Sequence, residues 1–215
     1  MNKYIVLDTE TTNTIEEPIC YDIGFAVIDE EGTVYETHSY VIAEIFLDKA
    51  LMAEAYFSDK IPQYWEDIKS GKRKLCRMKT VKMILQKICK EQNIQAIIAH
   101  NARFDYSSTT KTQRYITCSK YRYFLPYGVP IWDTLKMSRA VLGKDENYAK
   151  FCHDNEYITK NGQLRFTAEI IYRFLTKNND FVESHTGLED VLIEKVIFVY
   201  CIQTDPTVER LLWSN

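Results

Sequence analysis

The chain has little glycine or proline, 7 and 5 in 215 residues, and nothing like a Ser/Gly-rich linker. That excludes collagen-like and low-complexity architectures and leaves no composition break at which to divide the chain, so one domain over residues 1–215 is expected. Long apolar runs are missing too. None approaches the roughly 18 residues of a membrane span, and the N-terminus enters strand-like sequence without a signal-peptide pattern. The expectation is a protein with no membrane partner and a cytoplasmic location. The six cysteines (Cys20, Cys76, Cys89, Cys118, Cys152 and Cys201) form no CxxC pair and no regular spacing, which argues against a disulfide framework. Cys152-His153 lacks two further ligands at a zinc spacing. With a formal net charge of −3 there is no overall basic field, so a nucleic-acid partner would be held by local positive patches.

What the chain does have is clear patterning. Residues 3–9, 21–29 and 33–42 look like strands, the last two joined by the turn Asp29-Glu30-Glu31-Gly32, which predicts an antiparallel meander. Helical apolar spacing follows over 47–58 (Leu47, Leu51) and 77–91 (Val81, Ile84, Leu85, Ile88). The basic stretch "KSGKRKLCRMK" between them reads as a solvated loop. "IQAIIAH", 94–100, is a buried-type strand feeding a helix from Asn101, and "VPIWDTLKMSRAVL" repeats the step with Asp133 as an N-cap. Residues 145–180 are mostly helical, interrupted by a tight turn at Asn161-Gly162, and a last helix covers about 187–203.

Three acidic features stand out against this frame. "KYIVLDTETT" ends a buried strand on Asp8 and Glu10, which, two residues apart, point to the same face. Adjacent anions repel, and a hard divalent cation such as Mg²⁺ or Mn²⁺ is the simplest group to hold them together. In "AHNARFDYSS", Asn101 is placed to cap a helix and Asp105 falls one turn in, near the carboxyl end of a strand, where open α/β sheets build their sites. In "ESHTGLEDVLIEKVIF", Thr186 and Glu189 have capping-box spacing, Asp190 lies in the first turns, and His185 sits on the entering loop.

Together, Asp8, Glu10, Asp105 and the His185-x4-Asp190 pair resemble the three motifs of the DEDDh, or DnaQ-like, 3′→5′ exonucleases of the ribonuclease H-like superfamily. "HNARFD", "DIGFAVID" and "WDT" extend the likeness over nearly the whole chain. The branch with tyrosine in place of the histidine would need it where Thr186 stands, and Gly187 departs from the family's usual Ala, which should loosen the start of the helix. The resemblance implies an α/β, ribonuclease H-like fold, with a central mixed five-stranded sheet (antiparallel meander plus parallel strands) flanked by helices. It implies two Mg²⁺ or Mn²⁺ ions about 4 Å apart that clamp the last phosphodiester. Asp8 would bridge both, Glu10 and Asp190 would complete the set, and Asp105 would hold the second ion through water. His185 would take the proton from the attacking water.

By the same analogy the backbone at Thr9 to Thr11 would hold the terminal 3′ hydroxyl, with Asn101 near the scissile nucleotide. Phe104 and Tyr106 are candidates to stack on bases. Lys72, Arg73, Lys74 and Arg77, and Lys111, Arg114, Lys120 and Arg122, are candidate backbone contacts. The expected activity is removal of nucleoside 5′-monophosphates from single-stranded 3′ ends, of DNA in the first place and of RNA as the alternative. The enzyme would stand alone or serve as a proofreading subunit of a replication polymerase. The rival reading is a catalytically silent nucleic-acid-binding or polymerase-associated module, against which all four acids and the histidine are retained.

Overall fold

The computed structural model describes residues 1–117 and 123–212. Six strands, β1 (Lys3–Thr12), β2 (Ile19–Ile28), β3 (Val34–Ile42), β4 (Lys74–Cys76), β5 (Ile94–Ala99) and β6 (Ile131–Asp133), form one sheet in the order β4-β3-β2-β1-β5-β6. The pairs β1/β2 and β2/β3 are antiparallel, as the meander predicts, while β3/β4, β1/β5 and β5/β6 are parallel. The sheet is thus mixed, with one strand more than expected. The extra strand is β4, and it lies inside the stretch read as a solvated loop. Its three residues are too few to show a period of two.

The helices are α1 (Ala43–Phe46), α2 (Lys49–Ala53), α3 (Ile61–Ser70), α4 (Met78–Glu91), α5 (Ala102–Ile116), α6 (Thr134–Val141), α7 (Glu146–Asp154), α8 (Ala168–Thr176) and α9 (Gly187–Thr204). The segment 47–58, expected as one helix, is instead the short α2 followed by turns. The Asp48 side chain caps α2 by accepting from the Ala50 and Leu51 N–H groups. The Asn161-Gly162 turn forms as predicted, with Gly162 at φ 75° and its N–H donating to the Thr159 carbonyl at 2.9 Å. Among the described residues no helix is long and apolar enough to cross a membrane.

Alternation along β1 gives the sheet two faces. Ile5 and Leu7 join the core packed by α4, which includes Val81, Leu85 and Ile88. Tyr4 and Val6 join the core packed by α8 and α9, with Ile171, Val191, Ile197 and Phe198. Asp8 and Glu10 have the parity of Tyr4 and Val6, so the strand aims both at the side that α9 covers. The β1/β2 register slips between Glu10 and Thr11, a bulge that bends the strand at its acidic end.

α9 lies very close to β2. A Cβ on Gly24 would stand 2.2 Å from the Gly187 carbonyl carbon, and one on Gly187 would stand 2.7 Å from the Gly24 nitrogen. Gly187 therefore does not simply loosen the helix start, as its low propensity suggests. Paired with Gly24, it lets the first turn of α9 rest on the backbone of β2.

Candidate active site

Asp8 and Glu10 come from the end of β1, Asp105 from the first turn of α5, and Asp190 from the first turn of α9. His185 stands on the loop before α9 with φ 49°. Ligand atoms of Glu10, His185 and Asp190 lie within 4.8 Å of one another. Asp105 is 3% exposed, and one of its oxygens, Oδ1, accepts the Thr9 hydroxyl at 2.8 Å. The Thr9 hydroxyl also lies 3.0 Å from Ser108 Oγ, so its side chain is committed inside the protein. The five residues of the three sequence motifs therefore meet at one end of the sheet.

Burial dominates the electrostatics here. It raises Asp8 well above the usual carboxylate range, and the fields of Glu194, Asp105, Glu10 and Asp190 add to it. Desolvation, then Asp190 and Asp22, push Glu10 up to about 9, against the attraction of Lys60. Asp105 and Asp190 are both raised to about 7, again first by burial, with hydrogen bonds from Thr9 and from Ser184 and Thr186 opposing. Burial and Lys60 lower His185, which favours the neutral imidazole at neutral pH. A cluster of acids that must hold protons when no cation is present is a set of hard oxygen donors suited to a divalent metal.

The sequence motifs do not include several residues that surround this cluster. The Phe57 ring stacks on His185 with centroids 4.2 Å apart and planes 11° apart. Lys60 Nζ donates to the Ser184 carbonyl. Glu183 Oε2 lies 3.9 Å from His185 Nδ1, and burial raises Glu183 to about 8. Glu194, one turn beyond Asp190 on the buried side of α9, is 3% exposed. Phe57 and Lys60 carry no motif signal. Glu194 does leave one: it interrupts the apolar stripe Val191, Ile197, Phe198 and Cys201 with a carboxylate.

The capping box forms differently from the expectation. The Thr186 hydroxyl donates to Glu189 Oε2 at 2.8 Å, and Asp190 Oδ2 accepts the Thr186 N–H at 3.0 Å. Glu189 is drawn outward by Lys72 Nζ at 2.8 Å and Arg73 Nη2 at 2.7 Å. Asn101 likewise occupies the N-cap position of α5 without a side-chain cap, because its backbone is left-handed (φ 63°). Its N–H donates to Asp133 Oδ1 at 3.0 Å, and the residue lines the cleft that Asp8 also lines. Thr11 and Phe104 are half-buried nearby in sequence to the acids, Thr11 just past the bulge.

Arg73 is a correction. Expected on the surface as a phosphate contact, it is 1% exposed. It donates to Asp22 Oδ2 at 3.2 Å, Ser39 Oγ at 3.0 Å, Asp67 Oδ2 at 2.9 Å and Glu189 Oε2 at 2.7 Å. It immediately precedes β4, whose pairing with β3 sets it facing inward, and charge composition alone does not reveal that. Lys72 and Lys111 are also engaged, Lys111 with Glu17 at 3.0 Å. Lys74, Arg77 and Arg114 are exposed, and Lys120 and Arg122 lie outside the described residues.

No protein-family model matches the chain, and no curated protein matches it. Solved structures do. Exonuclease X in complex with 5′ overhanging duplex DNA is similar at TM-score 0.50 and 14% identity, over 97% of this chain and 96% of that one. E. coli Exonuclease I in complex with a 5cy-dT13 oligonucleotide is similar at TM-score 0.61 and 14% identity. This chain is covered over 97% and spans 42% of that chain's length. S. pombe Pop2p in its Mg²⁺ and Mn²⁺ bound form is similar at TM-score 0.54 and 13% identity, over 96% and 85% of the two chains. The chain therefore has the ribonuclease H-like α/β fold of these structures.

Proposed function

We propose that the protein is a metal-dependent 3′→5′ exonuclease of the DEDDh type, releasing nucleoside 5′-monophosphates from single-stranded 3′ ends, with DNA as the favoured substrate. The observation that carries this reading is the convergence of Asp8, Glu10, Asp105 and Asp190 with His185 at one end of the sheet. Four carboxylates, Asp105 and Asp190 buried and Asp8 and Glu10 half-buried, all raised in concert, fit a pair of Mg²⁺ or Mn²⁺ ions held by these four residues. Such a pair, when bound, supplies Lewis-acid stabilisation of the phosphate and a more acidic water.

The chain's own residues do the rest. His185 is held by the Phe57 ring, with Nδ1 turned toward Glu183, so Nε2 is the atom left to accept the proton of the attacking water. A new bond forms from the water oxygen to phosphorus, the bond to the 3′ oxygen breaks, and that oxygen stays on the shortened strand. The backbone of Thr9 to Thr11 receives the terminal 3′ hydroxyl, while Asn101 and Phe104 flank the terminal nucleotide. A replication polymerase, bound in trans, is a compatible partner.

Single-stranded DNA and RNA oligonucleotides of matched sequence, incubated with Mg²⁺ or Mn²⁺, test the reading. Mononucleotide 5′-phosphates should appear from the 3′ end, EDTA should abolish them, and a 3′-terminal phosphate should block the reaction. Cutting of closed circular single strands, or full activity without metal, refutes it.

A further inference from the structure

Glu194 has no place in the motif set, yet its position needs an explanation. It is 3% exposed on α9, and its Oε2 has no hydrogen-bond partner. A buried acceptor left without a donor is uncommon in a native interior. The side chain lines the same cleft as Asp8, a space of about 950 Å³ that also runs past His100 and Asn101. Among the charges acting on Asp8, that of Glu194 is the strongest, ahead of Asp105, and the strongest charge acting on Glu194 is Asp105. Glu10, His185 and Asp190 form a close group that does not include Glu194. Glu194 thus faces chiefly Asp8 and Asp105, the two motif acids outside that group.

We infer that Glu194 is a fifth carboxylate ligand of the cation cradle, its free Oε2 supplying a direct oxygen donor on the side of Asp105. This rests on the proposed function and extends it, since the four motif acids leave that side with Asp8 and a residue expected to act through water. Two features of the chain favour the assignment over a passive buried acid. First, α9 places Asp190 and Glu194 one turn apart on its buried stripe, so both follow the same rigid element into the site. Second, the residue that carries this unpartnered oxygen lines the same cleft as Asp8. The consequence is tighter cation binding, because affinity for hard ions rises with the number of ligand charges.

Calorimetric titration of the metal-free full chain with Mn²⁺ alone tests this. Glu194→Gln keeps the shape and removes the charge, and should raise the Kd of a Mn²⁺ ion about tenfold or more. Asp105→Asn should weaken the same binding event. The metal-free melting temperature of Glu194→Gln should equal or exceed the parent's, which a purely structural role would not produce. If Glu194→Gln fails to fold, Glu194→Asp retracts the carboxylate by one methylene and should still show the weakened binding. Parent-like Mn²⁺ affinity in whichever of the two variants folds overturns the inference. A parent protein that takes up no Mn²⁺ overturns the proposed function itself, so the two failures are distinguishable.

Discussion

Replacing Arg73 with methionine isolates the contribution of the buried ion network behind the site. The guanidinium touches Asp22, Ser39, Asp67 and Glu189 and lies over the Tyr64 ring at 4.9 Å, so β2, β3, α3 and α9 all meet at one side chain. Methionine fills much of the volume but leaves Asp22, fully buried, without its cation. Breaking one partner out of a buried pair costs about 3–5 kcal/mol. Asp22 Oδ2 keeps the Tyr64 hydroxyl at 2.7 Å and the Gly187 N–H at 3.0 Å, so the lower end, about 3 kcal/mol, is expected. Asp67 and Glu189 add little, because their side chains are 14% and 29% exposed and Lys72 still serves Glu189.

The pH dependence gives the result its signature. Burial already raises Asp22, with Arg73 opposing, and removing the arginine raises it further. A group whose folded pKa lies above its unfolded value destabilises only once pH exceeds the unfolded value, so the penalty should be larger at pH 8 than at pH 5. Urea unfolding of the metal-free variant, read at constant m, measures it. A cycle with Asp22→Asn should show a coupling of about 2 kcal/mol. A loss under about 1 kcal/mol at pH 8, or simple additivity with Asp22→Asn, refutes the reasoning. So does a variant whose only defect is a shallower salt dependence of DNA binding, the mark of a phosphate contact.

Asp8→Asn should lose both turnover and the rise in melting temperature on adding Mg²⁺, whereas His185→Ala should keep the rise and lose about 10²- to 10⁴-fold in rate. Its residual rate should climb with pH; a rate equal to the parent's over pH 6–9 assigns the proton transfer elsewhere. The metal-free protein should become less stable between about pH 5 and pH 9, because Asp105 and Asp190 (about 7), Glu183 (about 8) and Glu10 (about 9) all lie above their unfolded values. Thermal melts across that range should show a steady fall that millimolar Mg²⁺ reduces; a flat or rising profile contradicts the electrostatics. Gly24→Ala drives a Cβ to 2.2 Å from backbone of α9 and should cost about 3 kcal/mol or more in chemical denaturation, while a neutral result would mean that α9 can lift off β2 freely.

Much of the fold was legible because its elements are long and periodic. β2 is buried over ten residues, β1 carries the apolar run Tyr4–Leu7, β3 ends on the buried run Tyr40–Ile42, and α4 and α9 repeat their buried faces over several turns. What was not legible is short or non-local. β4 has three residues and exists because the parallel edge of β3 pairs with it. α3 ends on Gly71 in a left-handed conformation, a stop signal present in the sequence but overshadowed by the surrounding lysines. The burial of Arg73 follows from both, since the turn at Gly71 and the pairing of β4 aim it at Asp22 across the sheet.

The same distinction separates the parts of the site. Asp8, Glu10, Asp105, Asp190 and His185 could be read because each sits at the end of an element whose type and direction the sequence pattern reveals. Phe57 and Glu183 touch His185, and Arg73 touches Glu189 beside Asp190, through contacts 116 to 128 residues distant or a two-residue step on a loop, which no local period encodes. Glu194 falls between the two cases: its α9 stripe is local, but a carboxylate in that stripe acquires meaning only when β1 brings Asp8 to the same cleft. The motif acids are therefore positioned by residues outside the motif. Arg73 fixes Asp22 and Glu189, Asp22 accepts the Gly187 N–H, and Gly187 opens the helix that carries Asp190. A variant in that chain should weaken cation binding without removing any ligand, which is the reason to titrate Arg73→Met with Mn²⁺ beside its stability measurement. Loss of stability with fully retained Mn²⁺ affinity would mean that α9 holds its place by packing on β2 alone.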